Sequence, residues 1–384
     1  MDARGVFRMK YARYKSVVAV MLALVLLFFC APVYAASDTP ETDAAGSVLI
    51  EANTRMVLMS EEAHKKLPMA STTKIMTAML AIENCSLDEM VEVSTEAYGV
   101  EGSSMYLQRG EKLTMRDLLY GLMLVSGNDA AVAIAVHIGG SVAGFAQMMN
   151  AKAKELGALN TNFVTPNGLP NDNHYTTAYD LALIAAAAMQ LDAFQEIVSA
   201  TYFKTTSGQV VRTLKNKNRI LWEYPGGSGV KTGYTKAAGK CLVFSAEQDG
   251  MTLIGVLLNC PDMFSYAKTM LDYGFDNYEL ATVVKKGVEV AHVSVDNGMK
   301  NALALVAKED IIIPIRKGES VTLSTRVECP STVPAPVEAN AVFGRAYIMS
   351  GTKTIASTEL VARESVESRS YAEWLKKLIR RWSA

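Results

Sequence analysis

Apolar and polar positions change rhythm several times along the 384-residue chain, and each change marks a different kind of element. Ser47 to Glu51 and Met56 to Met59 are short apolar runs around a turn at Asn53-Thr54, which predicts two strands. Beyond Leu67-Pro68, the segment Thr72 to Ile82 is apolar nearly all round (Ile75, Met76, Ala78, Met79, Leu80). It predicts a helix buried inside a domain rather than one lying on its surface. Thr114 to Leu124 and Ala130 to Ile138 predict two further helices joined at Val125 to Asp129, and Ala178 to Gln190 an alanine-rich one. Thr165 to Pro170 is a loop by composition. Three strands are expected next, Ser228 to Tyr234, Lys240 to Ala246 and Met251 to Leu258, the last two linked by the hairpin signal Asp249-Gly250. An amphipathic helix from Phe264 to Tyr273 closes the region. Strands at both ends with helices between them predict an α/β (α+β) domain with an antiparallel sheet over residues 36–280.

After Leu280 the pattern turns β-rich. Val283-Val284, Val288 to Val295, Ile311 to Ile315, Val321 to Val327 and Ala341 to Met349 predict a small all-β sandwich over residues 281–364, with Pro330, Pro334 and Pro336 in one loop. In the last twenty residues the period lengthens again. Tyr371, Trp374, Leu375, Leu378, Ile379 and Trp382 fall on one stripe, and Lys376, Lys377, Arg380 and Arg381 on the other face. This is the pattern of an amphipathic helix, residues 365–384, lying in the interface of an anionic membrane. At the other end, Arg4, Arg8, Lys10, Arg13 and Lys15 precede an apolar run from Val17 to Cys30 that is short for a membrane span. With Val33-Tyr34-Ala35 behind it, residues 1–35 read as a signal peptide cleaved after Ala35. The expected location is outside the cytoplasmic membrane, attached peripherally to its outer face.

Half the residues are apolar, enough for a sizeable core, and the net charge of −1 removes any bulk electrostatic case for nucleic acid. With no P-loop or dinucleotide fingerprint, no cofactor is expected. Cys85, Cys241, Cys260 and Cys329 form no C-x-x-C pair, and Cys241 and Cys260 lie in apolar stretches that suit a core. His64, His137, His174 and His292 lack any ligand spacing, so no metal site is expected either.

Three short motifs carry the candidate chemistry: Ser71-Thr72-Thr73-Lys74, Ser126-Gly127-Asn128 and Lys231-Thr232-Gly233. S-x-x-K on a helix places a hydroxyl and an amine one turn apart on the same face. A serine hydroxyl is a poor nucleophile until a neighbouring base takes its proton, and Lys74 can be that base only as a neutral amine. Burial and a second positive charge, which Lys231 could supply, both lower a lysine pKa. Ser126 can relay a proton between the lysines and a leaving amine, and the Asn128 amide can hold a substrate amide. Thr232 offers a hydroxyl to a substrate carboxylate, and Gly233 lets a substrate backbone lie against the strand. Each motif alone is weak; their order, on a buried helix, an interhelical loop and a strand, is not.

In that order and setting the chain resembles the low-molecular-weight penicillin-binding proteins, the serine-type D-alanyl-D-alanine carboxypeptidases. Supporting stretches are Glu101-Gly102-Ser103-Ser104, Gly168-Leu169, His174 to Asp180, Asn218 to Trp222 and Gly229 to Thr235. The resemblance implies a penicillin-binding/β-lactamase-like catalytic domain, a β-rich second domain and an amphipathic C-terminal anchor. It implies removal of the terminal D-alanine from peptidoglycan stem pentapeptides through a Ser71 acyl-enzyme, and covalent binding of β-lactam antibiotics. By carry-over Lys74 is the base and Ser126 acts in proton transfer, while the backbone N–H groups of Ser71 and Tyr234 form the oxyanion hole. Family members commonly carry an arginine before the helix that closes the catalytic domain. Here Pro261-Asp262-Met263-Phe264 stand there, so carboxylate recognition is expected from Thr232 with Lys217 or Lys231. A class A β-lactamase would need a glutamate for deacylation, and the loop from Asn162 to Asp172 has none.

Overall fold

The computed structural model describes residues 39–319 and 322–371, with residues 375 and 379. The expected signal peptide lies outside the described residues, as does most of the expected C-terminal helix; the helix does not begin at residue 365 as expected, because Val366 pairs with Val337 and Ser368 with Gly298 as part of the β region. The centre of the first region is a five-stranded antiparallel sheet of β1 (Gly46–Glu51), β2 (Val57–Glu61), β7 (Gly227–Thr235), β8 (Gly239–Gln248) and β9 (Met251–Leu258). Their order is β2-β1-β9-β8-β7, which leaves β7 at an edge. Two short strand pairs flank the helices, β3 (Met90–Glu92) with β4 (Lys112–Thr114) and β5 (Tyr202–Lys204) with β6 (Thr213–Lys215).

Alternation along the strands explains why they read as continuous apolar runs, because both faces of this sheet are covered. Val48, Ile50, Val243, Ile254 and Val256 join the helical core on one face. Leu49, Leu242, Phe244, Leu253 and Leu257 join a second core on the other. The helices of the first core are α1 (Lys74–Asn84), α2 (Met115–Leu124), α3 (Asn128–Gly139), α4 (Val142–Glu155), α5 (Ala178–Ala188) and α6 (Asp192–Ser199). Three of them start at side-chain caps: Thr114, Ser141 and Thr177 accept from the backbone N–H of Asp117, Gly144 and Asp180. A four-residue turn, α7 (Ile220–Glu223), and the long α8 (Met263–Asn277) serve the opposite face, where Ala267, Met270 and Leu271 pack beneath the sheet.

The chain passes directly from α8 into β10 (Tyr278–Val284), which pairs with β13 (Ile311–Arg316). The remaining strands form a six-stranded sheet from β11 (Glu289–Asp296), β12 (Ala302–Ala307), β14 (Ser324–Glu328), β15 (Thr332–Pro334), β16 (Val342–Ser350) and β17 (Lys353–Ala362). Ile311 and Ile313 of the two-stranded ribbon meet Ile348 of this sheet, so the two layers are unequal. Helices α4 and α6 are additions to the elements expected from sequence. In α4 the buried Phe145, Met149 and Ala153 recur at helical spacing, although Gln147, Asn150, Lys152 and Lys154 interrupt the apolar pattern. The four cysteines of the described residues are free, and Cys241 and Cys260 are buried in the cores as expected.

Candidate active site

The serine motif begins before the helix does. Ala70–Thr73 form a 3-10 turn, and α1 starts at Lys74 itself. In a 3-10 turn residues three apart eclipse one another, so Ser71 and Lys74 stack, with Lys74 Nζ 2.9 Å from Ser71 Oγ. The turn is tied down by its own threonines: Thr72 Oγ1 donates to the Met69 carbonyl and Thr73 Oγ1 to that of Ala70, at 2.6 and 2.8 Å. Gly168 lies so close beneath it that a Cβ there would fall 1.9 Å from the Ala70 oxygen; with φ +84° the position requires glycine.

Lys74 is fully buried, yet its Nζ has three oxygens around it: Ser71 Oγ, Asn128 Oδ1 at 2.7 Å and the Asn167 carbonyl at 2.7 Å. Burial holds its pKa well below the ordinary lysine value. The nearby charge of Lys231 adds to this, the Asp129 carboxylate opposes it, and Lys217 adds a little more. A neutral amine has two N–H groups and one lone pair. Spending the N–H groups on Asn128 and Asn167 turns the lone pair toward Ser71, the arrangement a base needs to receive the serine proton.

Ser126 sits at the start of α3 with φ +65°, a left-handed conformation that Gly127 follows as the helix cap. It lines the same cleft as Ser71. Asn128, the first residue of α3, has both ends of its amide occupied: Oδ1 accepts from Lys74 and Nδ2 donates to the Glu101 carbonyl at 2.5 Å. It thus fixes Lys74 from one side, while the second N–H of its amide is left for the substrate amide that sequence assigned to it. The next residue, Asp129, accepts from Ser104 Oγ and from the backbone N–H of Met105 and Leu107. That carboxylate shapes the loop carrying Ser103, another residue of the cleft wall.

The third motif lies on β7, the free edge of the sheet. Lys231 is 1 % exposed, and its Nζ donates to the Thr232 carbonyl at 2.8 Å. Burial, and then the charge of Lys217, bring its pKa down to about 7. A Cβ on Gly233 would lie 3.0 Å from the Ser71 nitrogen, so glycine allows this strand to run against the nucleophile turn. Between them opens a cleft of about 460 Å³ lined by Ser71, Ser126, Lys217, Thr232, Gly233 and Tyr234.

The fold thus gathers every residue named from the motifs, with Lys217 across the cleft mouth. Sequence reasoning missed four contributors. The Asn167 carbonyl could leave no signal, since any residue has one. His174 Nε2 lies 2.8 Å from Thr73 Oγ1, and its Nδ1 accepts from the Val164 N–H at 3.0 Å, so the ring links the nucleophile turn to the loop that carries Asn167. Asp129 was visible as the residue after the second motif. Lys240, opposite Tyr234 on β8, lines the cleft beside Met263 and Phe264 and donates to the Pro261 carbonyl at 2.8 Å. It places a cation against the segment where an arginine was missing.

Comparison with known proteins agrees with this geometry. Residues 33–262 match the D-alanyl-D-alanine carboxypeptidase family, and residues 278–368 match the penicillin-binding protein 5 C-terminal domain. The chain is 32 % identical to D-alanyl-D-alanine carboxypeptidase DacF of Bacillus subtilis over 94 % of this chain and 97 % of that one. It is also 32 % identical to DacC of Escherichia coli, covering 90 % of each. Penicillin-binding protein 5 from Haemophilus influenzae superposes with a TM-score of 0.71 at 32 % identity, over 86 % of this chain and 99 % of that one.

Proposed function

Because the chain belongs to the D-alanyl-D-alanine carboxypeptidase family, we propose that it removes the terminal D-alanine from peptidoglycan stem peptides, with Ser71 as nucleophile and Lys74 as base. The observation that carries the assignment is the buried Lys74 amine 2.9 Å from Ser71 Oγ, its other two partners both acceptors. The Ser71 proton passes to the Lys74 lone pair as Oγ attacks the carbonyl of the scissile peptide. The C–N bond then breaks, and the departing D-alanine amine takes a proton through Ser126. Water attacks the resulting ester and frees Ser71. A β-lactam enters by the same first step, and the tethered leaving group keeps its ester in place.

The free edge of β7 suits an extended peptide, which adds to a sheet edge through its main chain. The backbone N–H groups of Ser71 and Tyr234 are proposed to receive the oxyanion. Recognition of the substrate's carboxylate is assigned to Thr232 with Lys217 and Lys240, and Lys231 is given the electrostatic task of keeping Lys74 neutral. Release of D-alanine from a muramyl pentapeptide analogue, abolished in Ser71→Ala, tests the reading; release that persists in that variant refutes it.

Export by residues 1–35 and docking of the amphipathic segment from Tyr371 onward on the outer face of the cytoplasmic membrane belong to the same proposal. The basic and apolar faces of the C-terminal stripe support it, and Tyr371, Leu375 and Ile379 are exposed. Truncation after Ser370, which keeps the buried Val366 and its pairing with Val337, should release the protein from anionic vesicles without loss of activity on a small peptide. Continued sedimentation with vesicles would contradict it.

A further inference from the structure

At the ends of α1 and α3 remote from the catalytic groups, three side chains converge that the reaction does not use. Cys85 is the residue that caps the C-terminus of α1, whose first residue is Lys74. His137 stands in the last turn of α3, whose first residue is Asn128. Glu89 comes from the turn before β3, which is fastened by its carbonyl to the Met115 N–H at 2.8 Å. Their ligand atoms, a thiol sulfur, an imidazole nitrogen and a carboxylate oxygen, all lie within 4.8 Å of one another, with His137 Nε2 2.7 Å from Glu89 Oε1.

We infer that Cys85, Glu89 and His137 form a binding site for a single borderline-soft divalent cation of the zinc type, a clamp on the far ends of the two catalytic helices. Three features support it. Sulfur, nitrogen and oxygen donors together are the set that zinc accepts, with a fourth position left to water. Two helix C-termini meet there, and the partial negative charge of each favours a cation. Cys85 is only partly exposed and Glu89 and His137 are exposed, so the ion has a path from solvent. Cys85 would bind as thiolate, its proton passing to solvent, and His137 through Nε2 with its proton on Nδ1. The residues stand 48 positions apart between Glu89 and His137, so no spacing motif could have shown them. An eleven-residue helix separates Cys85 from Lys74 by roughly 16 Å, which makes the site structural rather than catalytic.

The test uses the full chain, reduced and freed of metal, titrated with Co²⁺ and then Zn²⁺. One equivalent of Co²⁺ should produce a thiolate-to-cobalt charge-transfer band that Zn²⁺ removes, and Zn²⁺ should raise the melting temperature. Cys85→Ser should abolish the band. His137→Gln and Glu89→Gln should each weaken binding about 10–100-fold. Cys329→Ser, which removes the exposed thiol of the β region, should change nothing. Penicillin acylation of the metal-free variants at the wild-type rate establishes that they fold. If a variant fails to acylate, the Zn²⁺-induced rise in wild-type melting temperature decides, since without a site it does not occur. Absence of one-to-one binding at micromolar metal, or a band that survives Cys85→Ser, overturns the inference.

Discussion

The two halves of the molecule handle polar groups in opposite ways. The region carrying the three motifs buries Glu51, Lys74, Glu111, Asp117, Asp129, Asp180, Arg212 and Lys231, whereas the only buried polar side chain described after residue 278 is Thr358. Burying a charge is costly unless it is paired or neutralised. Each buried charge in the first region has a visible arrangement: Arg212 donates to both oxygens of Glu111, and Asp117 accepts from the Thr206 and Ser207 N–H groups. Lys74 and Lys231 have no buried carboxylate as direct partner, and it is their pKa values that fall. The β region instead wears its charges outside, as in Lys308–Glu359 and Arg363–Glu289, where ion pairs contribute little. Chemistry resides where desolvation changes what a side chain does, and the β region contributes a packed apolar layer and a surface.

The contrast can be broken most severely at Lys74. Arginine stays protonated in any environment, so Lys74→Arg should lower penicillin acylation by at least about 10³-fold, within the range lost with a general base. Acylation at near wild-type rate in that variant would remove the argument from burial. His174 gives the next largest effect. Burial lowers its pKa from 6.5 to about 4, so the unfolded chain binds a proton that the folded one does not. The neutral ring's contribution is complete above about pH 6.5 and is lost as pH falls toward 4, by up to about 3 kcal/mol. Melting followed from pH 7 to 4 should show this loss, and His174→Gln should flatten the curve. Lys240→Ala sharpens the comparison by testing an exposed charge in the buried-charge region. It should raise KM for a carboxylate-bearing peptide about tenfold, near 1.4 kcal/mol, and change kcat less. The smallest effect belongs to the other half: Lys308→Ala should alter neither the melting midpoint nor acylation measurably.

The same contrast decides what could be read from sequence. Strands buried on both faces, such as β8 and β9, and the all-apolar α1 are visible because nothing polar interrupts them. The motif residues are visible because their spacing follows a turn, a cap and a strand. The α4 helix escaped because its buried face is only Phe145, Ala146, Met149 and Ala153, interrupted by Gln147, Asn150, Lys152 and Lys154. Long-range partners escaped for a different reason. The Asn167 carbonyl is 93 residues from Lys74, and Arg212 is 101 residues from Glu111; only the assembled fold brings such groups together. The 3-10 turn at Ala70–Thr73 is hidden likewise, since Gly168, whose lack of a side chain accommodates it, lies on another loop.

The central claim is that a neutral, buried Lys74 activates Ser71. Its most direct test is peptide mapping by mass spectrometry after brief exposure to a penicillin, on the wild type and Lys74→Arg side by side at neutral pH. The account predicts one adduct per wild-type chain, on the peptide containing Ser71, and almost none on the variant over the same time. An adduct on any other residue, or equal labelling of Ser71 in both proteins, would contradict it.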